Sequence, residues 1–236
     1  MHEYYHDIYS NYGEDGLLFC IFRLIGWHKV PVFVNLSNVF TRKNMFLNLI
    51  KMFKFVSSVP VTFNDGKVDC TLDGARALHS HLKYPYIDLL HVNTDGMEYW
   101  MLKTFLHECE SMHSKPSVIV CKINSIVGSR PLTVPYVPPE KRRGMFDANY
   151  VGASVAALHT LLKSDYAFVG TTKYATHAVY VKTRCIPGPH TGDPSGLKTT
   201  FHLPTFDEYF ELFQNVRYGF QHRWPLVQSK FWITVR

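Results

Sequence analysis

Read along the chain, runs of apolar residues alternate between helical and extended spacing. Leu17, Phe19, Cys20, Phe22, Leu24 and Ile25 follow Glu14 and Asp15 and precede Gly26. Acidic residues complement the positive end of a helix and glycine stops one, so a helix is predicted from Glu14 to Ile25. Val30–Leu36 is β-branched and apolar, the pattern of a buried strand. Asn44–Phe55 places Met45, Leu49, Met52 and Phe53 on one helical side, and Val59–Phe63 is a short strand closed by the turn Asn64-Asp65-Gly66.

The alternation then repeats. Thr71–Leu82 reads as a helix, Ile87–Asn93 as a strand, Met97–Cys109 as a helix and Ser117–Ile123 as a strand. Ala148–Lys163 contains an alanine-rich helix, and Tyr166–Val169 with His177–Lys182 forms a closing strand pair. Strands alternating with helices predict an α/β domain, a doubly wound, mostly parallel sheet with helices on both faces and an antiparallel hairpin at its edge.

A break in composition follows at Ile186–Gly196, where proline and glycine mark a linker. Beyond it Thr205 and Glu208 form a capping box that opens an aromatic-rich helix, and Ser229–Val235 is strand-like. Two regions are expected: an α/β domain over residues 1–185, and a helical and extended C-terminal arm over residues 186–236. Ten aromatic residues lie between Phe201 and Trp232. They either cover the α/β domain or form an interface with another protein.

Composition narrows the classes of function. Hydrophobic residues make up 46% and charged residues 19%, which excludes a disordered chain. No apolar run reaches the roughly 20 residues of a membrane-spanning helix, and Met1–Tyr9 resembles no signal peptide. The net charge of +6 points to acidic surroundings: RNA, anionic lipid or an acidic protein. Only Lys141-Arg142-Arg143 forms a basic run, read as a solvated loop.

Five cysteines, far apart and without a CxxC pair, fit a reducing intracellular compartment better than a disulfide framework. Thirteen histidines raise the question of a metal. His79 and His81 diverge on a helix, as do His107 and Cys109, and Cys109 with His113 supplies only two ligands, so no metal site is expected. Ser154 lacks the G-x-S-x-G elbow of a nucleophile.

Four segments carry a family resemblance. Tyr9–Gly16 before an apolar helix, Asp88–Trp100, Val118–Ser125 and Tyr150–Leu158 resemble, in that order, motifs of FkbM-like SAM-dependent methyltransferases. The resemblance implies a Rossmann-like methyltransferase fold. It also implies where a cofactor would be held, and there the chain departs from the pattern. The turn after the first strand, within Phe33–Phe40, has no glycine and no carboxylate. No acid closes Val59–Phe63 before Asp65, and the stretch from the first strand to Asp88 is shorter than in the family. Asn93 stands for the first acid of the family's Asp-x-Asp-Gly turn, and Lys122 for a glutamate on the next strand. A cation there would repel a sulfonium cofactor.

The expectation is therefore a non-catalytic relative with no catalytic residue and no cofactor. It would be a structural or scaffolding subunit of a ribonucleoprotein or organellar assembly, with a lean toward the mitochondrion, docked to other protein subunits through its C-terminal arm. Asn35, Asp65, Asp95 and Glu98 are vestigial candidates for cofactor contact. Asp95 and Glu98 also sit where a helix start attracts acids for capping alone. Lys122 is expected opposite Asp95, as an ion pair replacing the cofactor. The alternative is a working methyltransferase with a divergent pocket, in which Asn35, Asp65 and Asp95 hold SAM.

Overall fold

The structure is a computed structural model that describes residues 14–37, 61–62, 73–75, 82, 85–94, 96–111, 114–138, 141–142, 146, 149–172, 175–187, 225–226 and 228–236. The chain folds as α1 (Glu14–Ile25), β1 (Phe33–Ser37), β2 (Val61–Thr62), β3 (Leu89–Asn93), α2 (Glu98–Ser111) and β4 (Val118–Lys122). It continues with β5 (Leu132–Thr133), α3 (Val155–Leu162), β6 (Tyr166–Thr171), β7 (His177–Lys182), a 3-10 turn at Thr183–Cys185, and β8 (Ile233–Thr234). The expected helix over Asn44–Phe55, the capping box at Thr205 and most of the expected helix over Thr71–Leu82 lie outside the described residues.

Among the described residues a six-stranded mixed sheet runs in the order β2-β1-β3-β4-β7-β6. The pairings β1–β2, β1–β3 and β3–β4 are parallel, whereas β7 is antiparallel to both β4 and β6. The closing hairpin is thus antiparallel, as its sequence predicts. Its second strand lies innermost, leaving β6 at the edge.

Side-chain alternation along each strand divides the core in two. On one face Phe33, Leu89, Val118, Val120, Val179 and Val181 pack against Leu17, Leu18, Ile21 and Phe22 of α1. On the other, Val34, Leu90, Val92, Ile119, Cys121 and Tyr180 meet α2 and α3. The buried positions of α2, Met101, Leu102, Phe105, Leu106 and Cys109, recur at the three- and four-residue spacing of a helix stripe. These helices on both faces make the domain α/β. No described helix is long and apolar enough to cross a membrane.

The described end of the arm returns to the domain. β8 pairs antiparallel with β5, and the Val235 amide donates to the Pro131 carbonyl at 2.8 Å. Trp232 stands edge-on to Tyr150, with ring centroids 4.8 Å apart, and the Tyr150 hydroxyl donates to the Phe231 carbonyl. For Trp232 and Val235 the aromatic-rich tail therefore covers its own domain, while Phe231 remains 69% exposed.

The connection from β4 to α3 is held by Asn124. Its Nδ2 donates to the carbonyls of Asn149 and Val151 at 2.9 and 2.8 Å, and its Oδ1 accepts from the Ile126 amide at 3.0 Å. This holds residues 149–153 outside a helix, and the alanine-rich helix expected within Ala148–Lys163 runs as α3 from Val155 to Leu162. Ser154 is its N-cap and accepts from the Ala157 amide at 3.0 Å, so this serine is a buried structural residue.

Candidate functional site

In an open α/β sheet, ligands bind outside the carboxyl ends of the parallel strands, where successive connections leave in opposite directions. Here β1 is flanked by β2 on one side and β3 on the other, which makes the ends of β1 and β3 that place. The polar residues follow from strand periodicity. Asn35, His91, Lys122 and His177 continue the α1-facing rows that begin with Phe33, Leu89, Val118 and Val181. Hydrophobic side chains give way to polar ones at a single edge of one face.

The register then fixes their contacts. Asn35 and His91 are partners across β1 and β3, and His91 Nδ1 donates to Asn35 Oδ1 at 2.8 Å. Lys122 and His177 are partners across β4 and β7. The rings of His91 and His177 lie 5.5 Å apart. Glu14, in the first turn of α1 beside the buried Asp15, lies against this row, its Oε1 approaching His177 Nδ1 at 3.6 Å. Asn35, His91, His177, Glu14 and Asp15 are all buried.

Burial governs the charge states. Desolvation, assisted by the positive charge of Lys122, lowers His91 to about 4. Desolvation, with His91 and Lys122 adding to it, also holds His177 well below the usual histidine range. The Glu14 contact opposes this for His177, but at 3.6 Å it is longer than a good hydrogen bond and does not outweigh burial. Both rings are neutral at pH 7, and with Asn35 Oδ1 as acceptor the His91 proton resides on Nδ1.

Glu98 belongs to the start of α2 and is 1% exposed. Its carboxylate accepts from the amides of Thr94 and Gly96, each at 3.1 Å. Burial raises its pKa, and the Lys122 charge and these amides oppose the rise. Space explains the two glycines around it. A Cβ at Gly152, where φ is +72°, would sit 3.0 Å from Glu98 Oε2, and one at Gly96, where φ is +112°, would meet Val151 at 2.7 Å. Glu98 thus closes the turn after β3, the capping role its position predicts.

Of the four candidates named from sequence, Asn35 and Glu98 are at this edge, while Asp65 and Asp95 lie outside the described residues. The expected pairing of Lys122 with Asp95 therefore falls outside them too. Lys122 is partly buried, and its charge is felt at Glu98, His91 and His177. Sequence reasoning missed His91, His177, Glu14 and Asp15 as members of one site. The available signal was parity: Asn35, His91 and Lys122 each continue an α1-facing apolar row of a parallel strand with a polar residue. Among the described residues no group of three or more His, Cys, Asp or Glu is arranged to hold a metal ion. His107 is on α2 beside the buried thiol Cys109, and His79, His81 and His113 lie outside the described residues.

The arrangement is a row of neutral side chains, of which Asn35 and His91 are hydrogen-bonded, with the Lys122 cation and the Glu14 carboxylate beside it. Its two histidines are too weakly basic at neutral pH to act as efficient proton acceptors. Comparison of the chain with protein-family models, curated proteins and solved structures finds no match.

Proposed function

We propose that this chain is a methyltransferase-like protein that has lost methyl transfer and serves as a non-catalytic, structural subunit of a larger assembly. The observation that carries the reading is the buried row of Asn35, His91 and His177 beneath Glu14. These side chains occupy the strand ends where a nucleotide-type cofactor needs open space and close backbone approach. The strand order, reversing across β1 with an inverted β7 beside β4, agrees with a Rossmann-like, doubly wound methyltransferase architecture. Lys122, where the resemblance implies a glutamate, adds a positive field unfavourable to a sulfonium.

Calorimetric titration with SAM and S-adenosylhomocysteine tests the loss. No heat of binding is expected at millimolar ligand, and micromolar binding of either compound would overturn the reading. One observation favours the second reading, a divergent but working pocket. The buried oxygens Asn93 Oδ1 and Thr94 Oγ1, at the end of β3, have no hydrogen-bond partner among the described residues, and a polar ligand would satisfy them. The same titration separates the two.

The partners in this proposal are protein subunits engaged by the arm over residues 186–236. The basic balance suits contact with RNA or anionic lipid in an organellar, mitochondrial or ribonucleoprotein setting. Deleting Ile186–Arg236 is expected to abolish co-purification with those subunits, and retained association would show that the arm is not the docking element.

A further inference from the structure

At the opposite end of the sheet from the histidine row, the structure forms an open cleft of about 560 Å³. Its walls follow from the antiparallel register. Lys115 precedes β4, Lys182 ends β7 alongside it, and Asp165 precedes β6, whose Tyr166 pairs with Lys182. The 3-10 turn after β7 adds Thr183 and Arg184, and Ser164 completes the rim.

Three cations and two carboxylates line this cleft, and the carboxylates are already engaged. Lys115 Nζ donates to Asp165 Oδ2 at 2.7 Å and to Glu110 Oε1 at 3.0 Å. Among the described residues Lys182 and Arg184 have no ion pair. Lys182 is 7% exposed, yet among the described residues its ammonium donates only to the Lys115 carbonyl, at 3.1 Å. An ammonium carries three donors, so two remain for the cleft. Burial, and next the neighbouring Arg184 charge, pull Lys182 below the usual lysine range. Two like charges held together in a partly desolvated cleft repel each other, and an anion between them would relieve both.

We propose that this cleft is a binding site for a tetrahedral oxyanion of the phosphate class, held by Lys182 and Arg184 with the hydroxyls of Ser164 and Thr183. Three cations against two carboxylates leave the cleft with a net positive charge, concentrated at Lys182 and Arg184, which favours an anion there. Two ammonium donors, a planar guanidinium fork and two hydroxyls match the many acceptor positions of a phosphate better than the two oxygens of a carboxylate. This site is independent of the lost methyl transfer, since it lies at the other end of the strands.

Titration of the full chain with inorganic phosphate at low ionic strength tests the site. Saturable binding is expected, with acetate weaker by about tenfold or more. Arg184→Gln and Lys182→Met are each expected to weaken phosphate by at least about tenfold, while Lys141→Gln leaves it unchanged. Arg184 is exposed, so its variant keeps the test decisive if Lys182→Met does not fold. A nucleoside 5′-monophosphate in parallel distinguishes the source: tighter binding than the free ion assigns the site to a phosphate ester, and equal or weaker binding to the ion. Absence of saturable phosphate binding, or undiminished affinity in Arg184→Gln, would overturn the proposal.

Discussion

Acidification from pH 6.5 to pH 4 is expected to remove about 3 kcal/mol of folding stability through His91 alone. In the folded chain His91 titrates at about 4, against 6.5 for an unperturbed histidine. Between those values the unfolded chain binds a proton that the folded chain refuses, so unfolding gains as pH falls. The contribution is complete above pH 6.5 and lost as pH falls toward 4. His177, lowered for the same reason, adds to the loss with the same sign.

Glu98 acts in the opposite sense. Its raised pKa means that the unfolded carboxyl ionises before the folded one, so its contribution is present below 4.5 and lost as pH rises through the folded value. Comparing urea denaturation of the wild type and His91→Gln at pH 7, 5.5 and 4 isolates the histidine, because Glu98 is common to both. The variant is expected to lose less stability with acid by about 3 kcal/mol. Parallel curves for the two proteins would show that His91 is not held neutral.

Asp88→Ala is expected to destabilise the domain by about 3 kcal/mol or more at pH 7. This carboxylate is 1% exposed and accepts from three groups on the loop before β1. They are the His28 amide at 3.0 Å, His28 Nδ1 at 2.9 Å and the Val32 amide at 2.8 Å. The alanine variant leaves the Val32 amide without its acceptor beside a side chain that is 1% exposed. Hydrogen bonds to a charged acceptor are individually worth about 1.5–3 kcal/mol, which makes the loss large. Asp88→Asn keeps the shape and one acceptor oxygen, and a smaller loss of about 2 kcal/mol is expected. Guanidinium unfolding of the three proteins checks the order, and a change below about 1 kcal/mol for the alanine variant would show that the loop does not depend on this carboxylate.

The Asp88 contacts also connect fold and site. The same loop delivers Phe33 and Asn35 into β1, while His28 stacks on Tyr86 with centroids 3.7 Å apart and the Tyr86 hydroxyl donates to the Val30 carbonyl at 3.0 Å. Asn35 reaches His91 only because β1 enters the sheet in register with β3. A loosened loop would therefore disturb the polar row as well as the core.

Local patterns were sufficient for the long elements. Glu14 and Asp15 at one end and Gly26 at the other bound α1 as read, since the Gly26 amide closes on the Phe22 carbonyl at 2.9 Å and the apolar face covers the sheet. The strand His177–Lys182 is likewise as read, because every residue of it is buried and its β-branched pattern has no competing helical period. The α/β alternation followed from the same local preferences.

Tertiary structure decided the rest. Residues 149–153 are not helical, because Asn124 holds the carbonyls of Asn149 and Val151 and Ala153 bridges to Thr133. The pair β5–β8 joins two-residue strands about a hundred positions apart, and although Ser229–Val235 reads as strand-like, no local pattern names Leu132–Thr133 as its partner. The candidate site has the same origin. Asn35 was named from a loop that lacks glycine, but His91, His177 and Glu14 carried only histidine-rich and helix-capping signals in their own segments. They become one buried row because β3, β4 and β7 are neighbours in the sheet and α1 lies across their ends. Periodicity states which way a side chain points, while strand order and register determine what it points at.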